Sequence, residues 1–145
     1  MNLLAFATLV VTGLIACSEF GSYAFVHPVL RHLPARERVV VEKGLLRTFG
    51  RIMPPGMILC VVLGVGSAVD RGTGLTWAAA AAFIAAVTTT VIVNVPINVA
   101  TGRWDPEDPP VDWERTRTRW DRFQGIRSWL LLAGFVLSAA AATTI

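Results

Sequence analysis

The residues best suited to chemistry lie near the end of the first apolar segment of the sequence. Glu19, Tyr23 and His27 follow one another at intervals of four residues. They share one face if the segment is an α-helix that reaches His27. A carboxylate and an imidazole held side by side can act as an acid, a base or a metal ligand. This face is therefore the first candidate site.

Two later stretches carry polar residues at similar spacing. Asn94 and Asn98 are four residues apart, and Pro96 between them removes one backbone hydrogen bond and frees a carbonyl. Amide and guanidinium groups stabilise oxyanions, and indole rings stack on aromatic molecules. Near the C-terminus such residues fall at steps of three and four, which again defines one helix face: Trp113, Arg117, Trp120, Gln124 and Arg127.

The two histidines limit metal chemistry. His27 and His32 are the only histidines of the chain. Together with Glu19 they form the only group of histidines and a carboxylate near an apolar segment. Such a set binds iron or copper, although His32 lies in a charged stretch. His27 and Glu19 are therefore the metal candidates, and either no metal or a single iron or copper ion is possible. The motifs GxSxG, HExxH, GxGxxG and the P-loop are absent from the sequence.

The elements that must position these residues are membrane helices. The chain has 145 residues, 54% of them hydrophobic, and a mean hydropathy of +0.57. Its apolar residues form four blocks, and about 20 apolar residues cross a bilayer. We therefore predict an all-α fold, a four-helix transmembrane bundle that forms a single integral membrane domain over residues 1–145. The predicted membrane helices cover residues 2–26, 52–69, 75–99 and 127–143.

The sequence also predicts helices in two connectors. Residues 35–50 have an amphipathic pattern typical of a helix that lies at the membrane surface. Pro54 and Pro55 suit the start of the next helix, where N–H donors are not needed. Residues 112–126 are expected to continue without a break into a long fourth helix. The acidic, proline-rich stretch at 105–110 predicts an extended loop.

Basic residues predict the orientation. The first and third connectors are rich in arginine, whereas the second contains only Arg71. The positive-inside rule then places the first and third connectors in the cytoplasm and both termini outside. No basic residue precedes Arg31, which favours a retained first helix over a cleaved signal peptide. We expect an integral protein of the cell (plasma) membrane, and the single lysine, Lys43, is typical of a bacterial source.

The net charge of +3 points to partners in the membrane. The arginines flank apolar blocks, so the lipid bilayer with its anionic headgroups is the expected partner and nucleic acid is not. The two cysteines do not form a CxxC pair, and a disulfide framework is not expected. A homo-oligomer is compatible with a bundle this small.

This topology brings the polar residues to one end of the bundle, where they can line one cavity. Charged groups in a membrane cost roughly 2.5–3.5 kcal/mol each and are usually functional or paired. Simpler roles are also open. Glu19 can pair with Arg127 to join two helices, His27 can be an interfacial residue, the tryptophans can anchor the interface, and the asparagines can bond between helices.

Three short motifs at the helix ends resemble those of a known family. They are, in order, Val26-His27-Pro28-Val29-Leu30, Val95-Pro96-Ile97-Asn98 and Trp120-Asp121-Arg122-Phe123-Gln124-Gly125-Ile126-Arg127. Over nearly the whole chain this arrangement resembles the anthrone oxygenase-like family of small four-helix membrane proteins. Many members carry histidine at the position of Gln124. An amide can orient a substrate but cannot replace histidine as a base or a metal ligand.

The resemblance implies a membrane monooxygenase of a natural-product pathway. Its substrate would be apolar and polycyclic, such as anthrone, with dioxygen as co-substrate. In this scheme His27 is the base or metal ligand, with Glu19 as its partner. Asn98 and Arg127 would stabilise the oxyanion. The residues expected to bind the substrate are Tyr23, Asn94, Trp113, Trp120 and Gln124.

Two other functions are open. A non-catalytic membrane scaffold or accessory subunit would use the same polar residues only for helix packing. A transporter would need to oligomerise, because four helices are few for a transport pathway. The metal content of the purified protein separates these classes from a metalloenzyme.

Overall fold

Four long helices make up most of the chain, which is 88% helical. The structure, a computed structural model, describes residues 2–144. Each of the four helices is long and apolar enough to cross a membrane, and the predicted all-α, four-helix membrane fold is confirmed. The helices are α1 (Leu3–Leu30), α2 (Ala35–Arg71), α3 (Gly74–Arg103) and α4 (Trp113–Thr143).

Helix α1 extends past the boundary that Pro28 was expected to impose. The helix is π-helical over Ser22–Val26 and regains α-helical geometry over His27–Leu30. In a regular helix a proline ring clashes with the carbonyl four residues back. Here the N–H of His27 donates instead to Ser22, five residues back. The wider turn lets the helix pass the proline, so the predicted end at residue 26 is wrong by one turn.

Helix α3 also contains a π-helical turn before a proline. It is π-helical over Thr90–Asn94, and Val95 donates its N–H to Thr90, one residue before Pro96. The helix then continues to Arg103, beyond the predicted end at residue 99. Both π-helical turns therefore lie one residue before an X-Pro pair, and both lie in the half of the bundle that carries the polar residues.

Helix α2 joins two elements that the sequence separated. Pro54 and Pro55 lie inside a continuous helix of 37 residues. The expected surface helix at 35–50 and membrane helix at 52–69 are one element, and the expected break is wrong. The prolines leave two carbonyls without helical donors, which membrane helices tolerate when neighbouring elements support them. Both parts of α2 bury residues against the bundle, for example Val39 and Cys60, and this packing outweighs the local loss.

The end of the bundle away from the polar residues packs around Phe83 of α3. Its fully buried ring lies between Gly64 of α2 and Gly134 of α4. A Cβ atom on Gly64 would lie 2.7 Å from the ring, and one on Gly134 would overlap it. Small residues thus allow the close helix contact that stabilises membrane bundles. The rest of this core consists of Ala16, Met57, Cys60, Ala79, Ala86 and Leu131.

The loop between α3 and α4 is tied to the first turns of α2. Lys43 donates to the backbone carbonyl of Trp104 at 2.7 Å. Arg36 forms an exposed ion pair with Glu107. These contacts hold the start of α2 against the polar end of the bundle.

Candidate functional site

A narrow cavity of about 50 Å³ lies between all four helices at the polar end. One wall is polar and the other, formed by α2, is mostly apolar. A cavity of this size has room for a few water molecules but not for a fused-ring molecule. Its polar lining consists of Glu19, Ser22, His27, Glu42, Thr90, Asn98, Trp120, Gln124 and Arg127.

Glu19 lies at the centre of this polar wall. Its side chain is 1% exposed, and Oε2 accepts hydrogen bonds from Gln124 Nε2 at 2.8 Å and from Arg127 Nη2 at 2.9 Å. Arg127 also donates to the amide oxygen of Gln124 and, through Nη1, to Thr90 at 3.4 Å. A buried ion pair is stable only when such additional hydrogen bonds satisfy both groups. The contact therefore links α1, α3 and α4.

His27 lies beside Asp121 rather than beside Glu19. The imidazole is 2% exposed, and its Nδ1 is 3.6 Å from Oδ1 of Asp121. Within residues 2–144 neither atom has a hydrogen-bond partner at shorter range. A carboxylate at Nδ1 favours the tautomer in which Nε2 is free to accept a proton. His27 also packs on Trp120, with 4.8 Å between the ring centroids.

Asp121 belongs to a buried charge network that extends into α2. Its Oδ2 accepts hydrogen bonds at 3.1 Å from Nε of Arg31 and from Nη2 of Arg38. Glu42 accepts from Arg117 at 2.5 Å. Arg38, Glu42 and Arg117 are all buried, so the network fixes the first part of α2 to α4 next to His27.

The asparagines hold Trp120 in place. Trp120 donates its indole N–H to Oδ1 of Asn98 at 2.7 Å, and Asn94 donates to the backbone carbonyl of Trp120 at 3.3 Å. The guanidinium of Arg117 lies 4.3 Å from the centroid of the same ring. Asn98 lines the cavity, and its NH₂ group is the donor that it offers there.

A second, larger concavity is an open groove of about 1310 Å³ on the outside of the bundle. It runs from the turn after α1 down one side of α4. The predicted substrate residues Tyr23 and Trp113 line this groove. Tyr23 also lies against Gly125, where a Cβ atom would be 2.8 Å from its ring.

The nine predicted site residues thus fall into three places. Tyr23 and Trp113 lie in the groove, and Asn94 lies behind Trp120 with its side chain fully buried. The other six line the cavity: Glu19, His27, Asn98, Trp120, Gln124 and Arg127. Their roles in a reaction stay predictions.

The donor set around Glu19 does not fit a metal ion. Oε2 is occupied by two hydrogen-bond donors, and the guanidinium of Arg127 at 2.9 Å repels a second cation. In the part of the chain that the structure describes, no three side chains of His, Cys, Asp or Glu are grouped so that they could hold a metal.

The charge network was not predicted, although the sequence contains signals for it. Arg38 and Glu42 are opposite charges four residues apart on one helix, the spacing of an ion pair. Asp121 lies four residues after Arg117 and three before Gln124, which places it beside the polar face already identified. Arg38 reaches α4 because α2 is one long helix, and the length of α2 was not predicted.

Comparison with known proteins gives one match. The family model described as anthrone oxygenase matches residues 45–137, more than half of the chain. The matched range includes Asn98, Gln124 and Arg127, whereas Glu19 and His27 precede it. No curated protein and no solved structure matches the chain. The match covers the second and third of the helix-end motifs, and the chain belongs to the anthrone oxygenase family.

Proposed function

We propose that this membrane protein is an oxygenase that oxidises an apolar, polycyclic aromatic substrate of the anthrone type. The proposal rests on one cavity that is lined by the buried imidazole of His27, the guanidinium of Arg127 and the amide group of Asn98. The carboxylate of Glu19 holds that guanidinium in place. An apolar wall from α2 completes the cavity. Family membership supports the class of reaction. We place the protein in the cell membrane, with both termini outside.

The proposed reaction balances without an external reductant. A base removes a proton from the methylene group between the two rings, and the resulting carbanion is delocalised onto the carbonyl oxygen. The carbon then bonds to dioxygen and loses its second hydrogen as the O–O bond breaks. One oxygen atom becomes the new carbonyl, and the other leaves as water with the two hydrogens. The substrate supplies all the electrons.

His27 is the proposed base. A neutral imidazole can accept a proton as a general base, and Asp121 at 3.6 Å from Nδ1 favours a free Nε2. We assign Asp121 as a positioning residue for His27. Glu19 contacts Gln124 and Arg127, so its assigned task is to orient those two donors.

Arg127 and Asn98 are the proposed donors to the oxyanion. Both line the cavity, and donors fixed in advance stabilise a developing negative charge most strongly where water is excluded. Trp120, which Asn98 fixes through its indole N–H, offers a flat surface for the rings.

Substrate binding requires the cavity to open, because about 50 Å³ cannot hold three fused rings. Phe49, Met53 and Met57 of α2 form part of its apolar wall. Methionine side chains are flexible and repack easily, so this wall is the proposed place of entry from the lipid.

The test is oxygen uptake and quinone formation by detergent-purified protein with anthrone, measured above the protein-free background. His27→Gln removes the base and is expected to lower the rate at least about 100-fold, a typical contribution of general base catalysis. His32→Gln is the matched control, because His32 is exposed in the turn after α1. We expect wild-type rates from this control. A His27→Gln variant that melts like wild type and reacts as fast would refute the proposal.

One observation favours the alternative of a non-catalytic scaffold or accessory subunit. Glu19, Gln124 and Arg127 form hydrogen bonds with one another and, through Thr90, link three helices, as residues with a purely structural role would. If wild type consumes no oxygen with any polycyclic substrate while Glu19 variants melt early, the scaffold is the better account.

A further inference from the structure

The open groove on the outside of the bundle combines cations at one end with an apolar floor. Its upper end contains Arg31, Arg38 and Arg122 together with the carboxylates of Asp121 and Glu114. Both Arg31 and Arg38 donate to the same oxygen of Asp121 at 3.1 Å. One carboxylate therefore holds two guanidiniums in place and offsets only one of their charges.

Two of these arginines can still bind a ligand. The side chain of Arg31 is 43% exposed and its hydrogen bond to Asp121 uses only Nε, so its Nη groups remain available as donors. Arg122 is exposed and, among the described residues, forms no ion pair. Guanidinium groups bind phosphate through several N–H donors in a fixed geometry. The upper end of the groove thus suits a phosphodiester.

Below Arg122 the floor of the groove is a straight apolar stripe along α4. Trp129, Leu130 and Ala133 lie three, four and seven residues after Ile126, so the four residues share one helix face, and all of them line the groove. Eleven residues of helix from Arg122 to Ala133 rise about 16 Å. Half of a bilayer's hydrocarbon core is about 15 Å. The distance from Arg122 to the end of the stripe at Ala133 therefore matches the depth of one leaflet.

We propose that this groove binds a single anionic phospholipid, with its phosphate at Arg31 and Arg122 and an acyl chain along Ile126 to Ala133. Basic pockets between membrane helices are typical sites for anionic headgroups. Trp113 lines the upper end of the same groove, and indoles favour the headgroup level of a bilayer. The inference does not depend on the proposed oxygenase activity.

Native mass spectrometry of the detergent-purified protein tests the headgroup. The probe is an equimolar mixture of phosphatidylglycerol and phosphatidylcholine with the same acyl chains. Wild type is expected to retain at least about five times more phosphatidylglycerol than phosphatidylcholine. Arg122→Gln is expected to retain about five times less phosphatidylglycerol than wild type. Arg119→Gln is the control, because Arg119 is exposed on the same helix but does not line the groove. Equal retention of both lipids by wild type, or equal losses in the two variants, overturns the proposal.

A second pair of variants tests the acyl chain. Ala133→Phe fills the lower end of the groove and is expected to reduce retention of both lipids. Ala81→Phe makes the same change at an exposed alanine of α3 and is expected to reduce neither. Unchanged lipid retention in Ala133→Phe would show that the lipid lies elsewhere. Displacement of the lipid by anthrone in wild type would assign the groove to the substrate and also overturn the proposal.

Discussion

The two ends of this bundle are held together by different means. Around Phe83 the helices approach one another through glycine and alanine. Around Glu19 the same four helices are joined by buried carboxylates, guanidiniums and amides. Close packing of small residues stabilises membrane helices directly. A buried ion pair loses so much solvation that its net contribution is near zero or unfavourable. The polar end therefore carries groups that stability alone does not require.

Backbone irregularities concentrate at the same end. Both π-helical turns, Ser22–Val26 and Thr90–Asn94, lie there, as do Pro54 and Pro55 of α2. Turns of the π type occur frequently at functional sites. Because of these turns, the side chains of His27 and Asn94 take positions that they would not have in a regular α-helix ended by proline. The contrast between the ends separates residues that build the bundle from residues that give it a site.

The largest expected effect comes from breaking the Glu19–Arg127 pair. Glu19→Leu leaves the guanidinium of Arg127 buried without its counter-charge, which destabilises proteins by about 3–5 kcal/mol. We expect a loss of that size in equilibrium unfolding in mixed micelles. Replacing both partners by leucine removes the unpaired charge and should restore most of the stability. The double variant should nevertheless fail to oxidise anthrone.

The double variant is the informative one for the comparison. If it is stable and inactive, the charges serve function. If it is stable and active, Glu19 and Arg127 are packing residues, and the polar end does not differ in function from the apolar end. Thermal melting of the same samples is the control for folding.

A smaller effect is expected at the apolar end. In Gly134→Ala the new Cβ overlaps the ring of Phe83, which is fully buried and contacts Gly64 on its other side. Overpacking of this kind costs about 1–3 kcal/mol. Gly66→Ala is the control, because its Cβ would meet only Leu4, at an ordinary 3.8 Å. Oxygen uptake per folded molecule should be unchanged in both variants. A loss of activity in Gly134→Ala at full folding would show that the two ends are coupled.

Much of the fold follows from the sequence, because the apolar blocks are long enough to define four membrane helices. The predicted helix boundaries near the prolines, at residues 26, 52 and 99, were wrong. Local rules treat proline as a helix terminator. In the bundle, a π-helical turn or the packing of both flanking segments offsets that local preference. Such compensation depends on neighbouring helices, which a single sequence does not reveal.

The site was predictable to a similar extent. Spacing along α1 and α4 identified Glu19, His27, Gln124 and Arg127, since residues three and four apart share a helix face. It did not identify Asp121 as the neighbour of His27, because that contact joins residues 94 positions apart on different helices. The pairing of Glu19 with Arg127 was foreseen as a simple structural role, and the structure contains that pair.

The smallest effect is expected at an exposed ion pair near the polar end of the bundle. Arg36 and Glu107 join the start of α2 to the loop before α4, but their side chains are 57% and 67% exposed. Water and salt screen such pairs, and most contribute little to stability. Glu107→Gln should therefore leave the melting temperature unchanged at any salt concentration. Glu42→Gln is the matched comparison, since it weakens the buried pair with Arg117 and should melt earlier. Equal melting of the two variants would mean that burial does not distinguish these pairs, and that the charges of the polar end resemble surface charges.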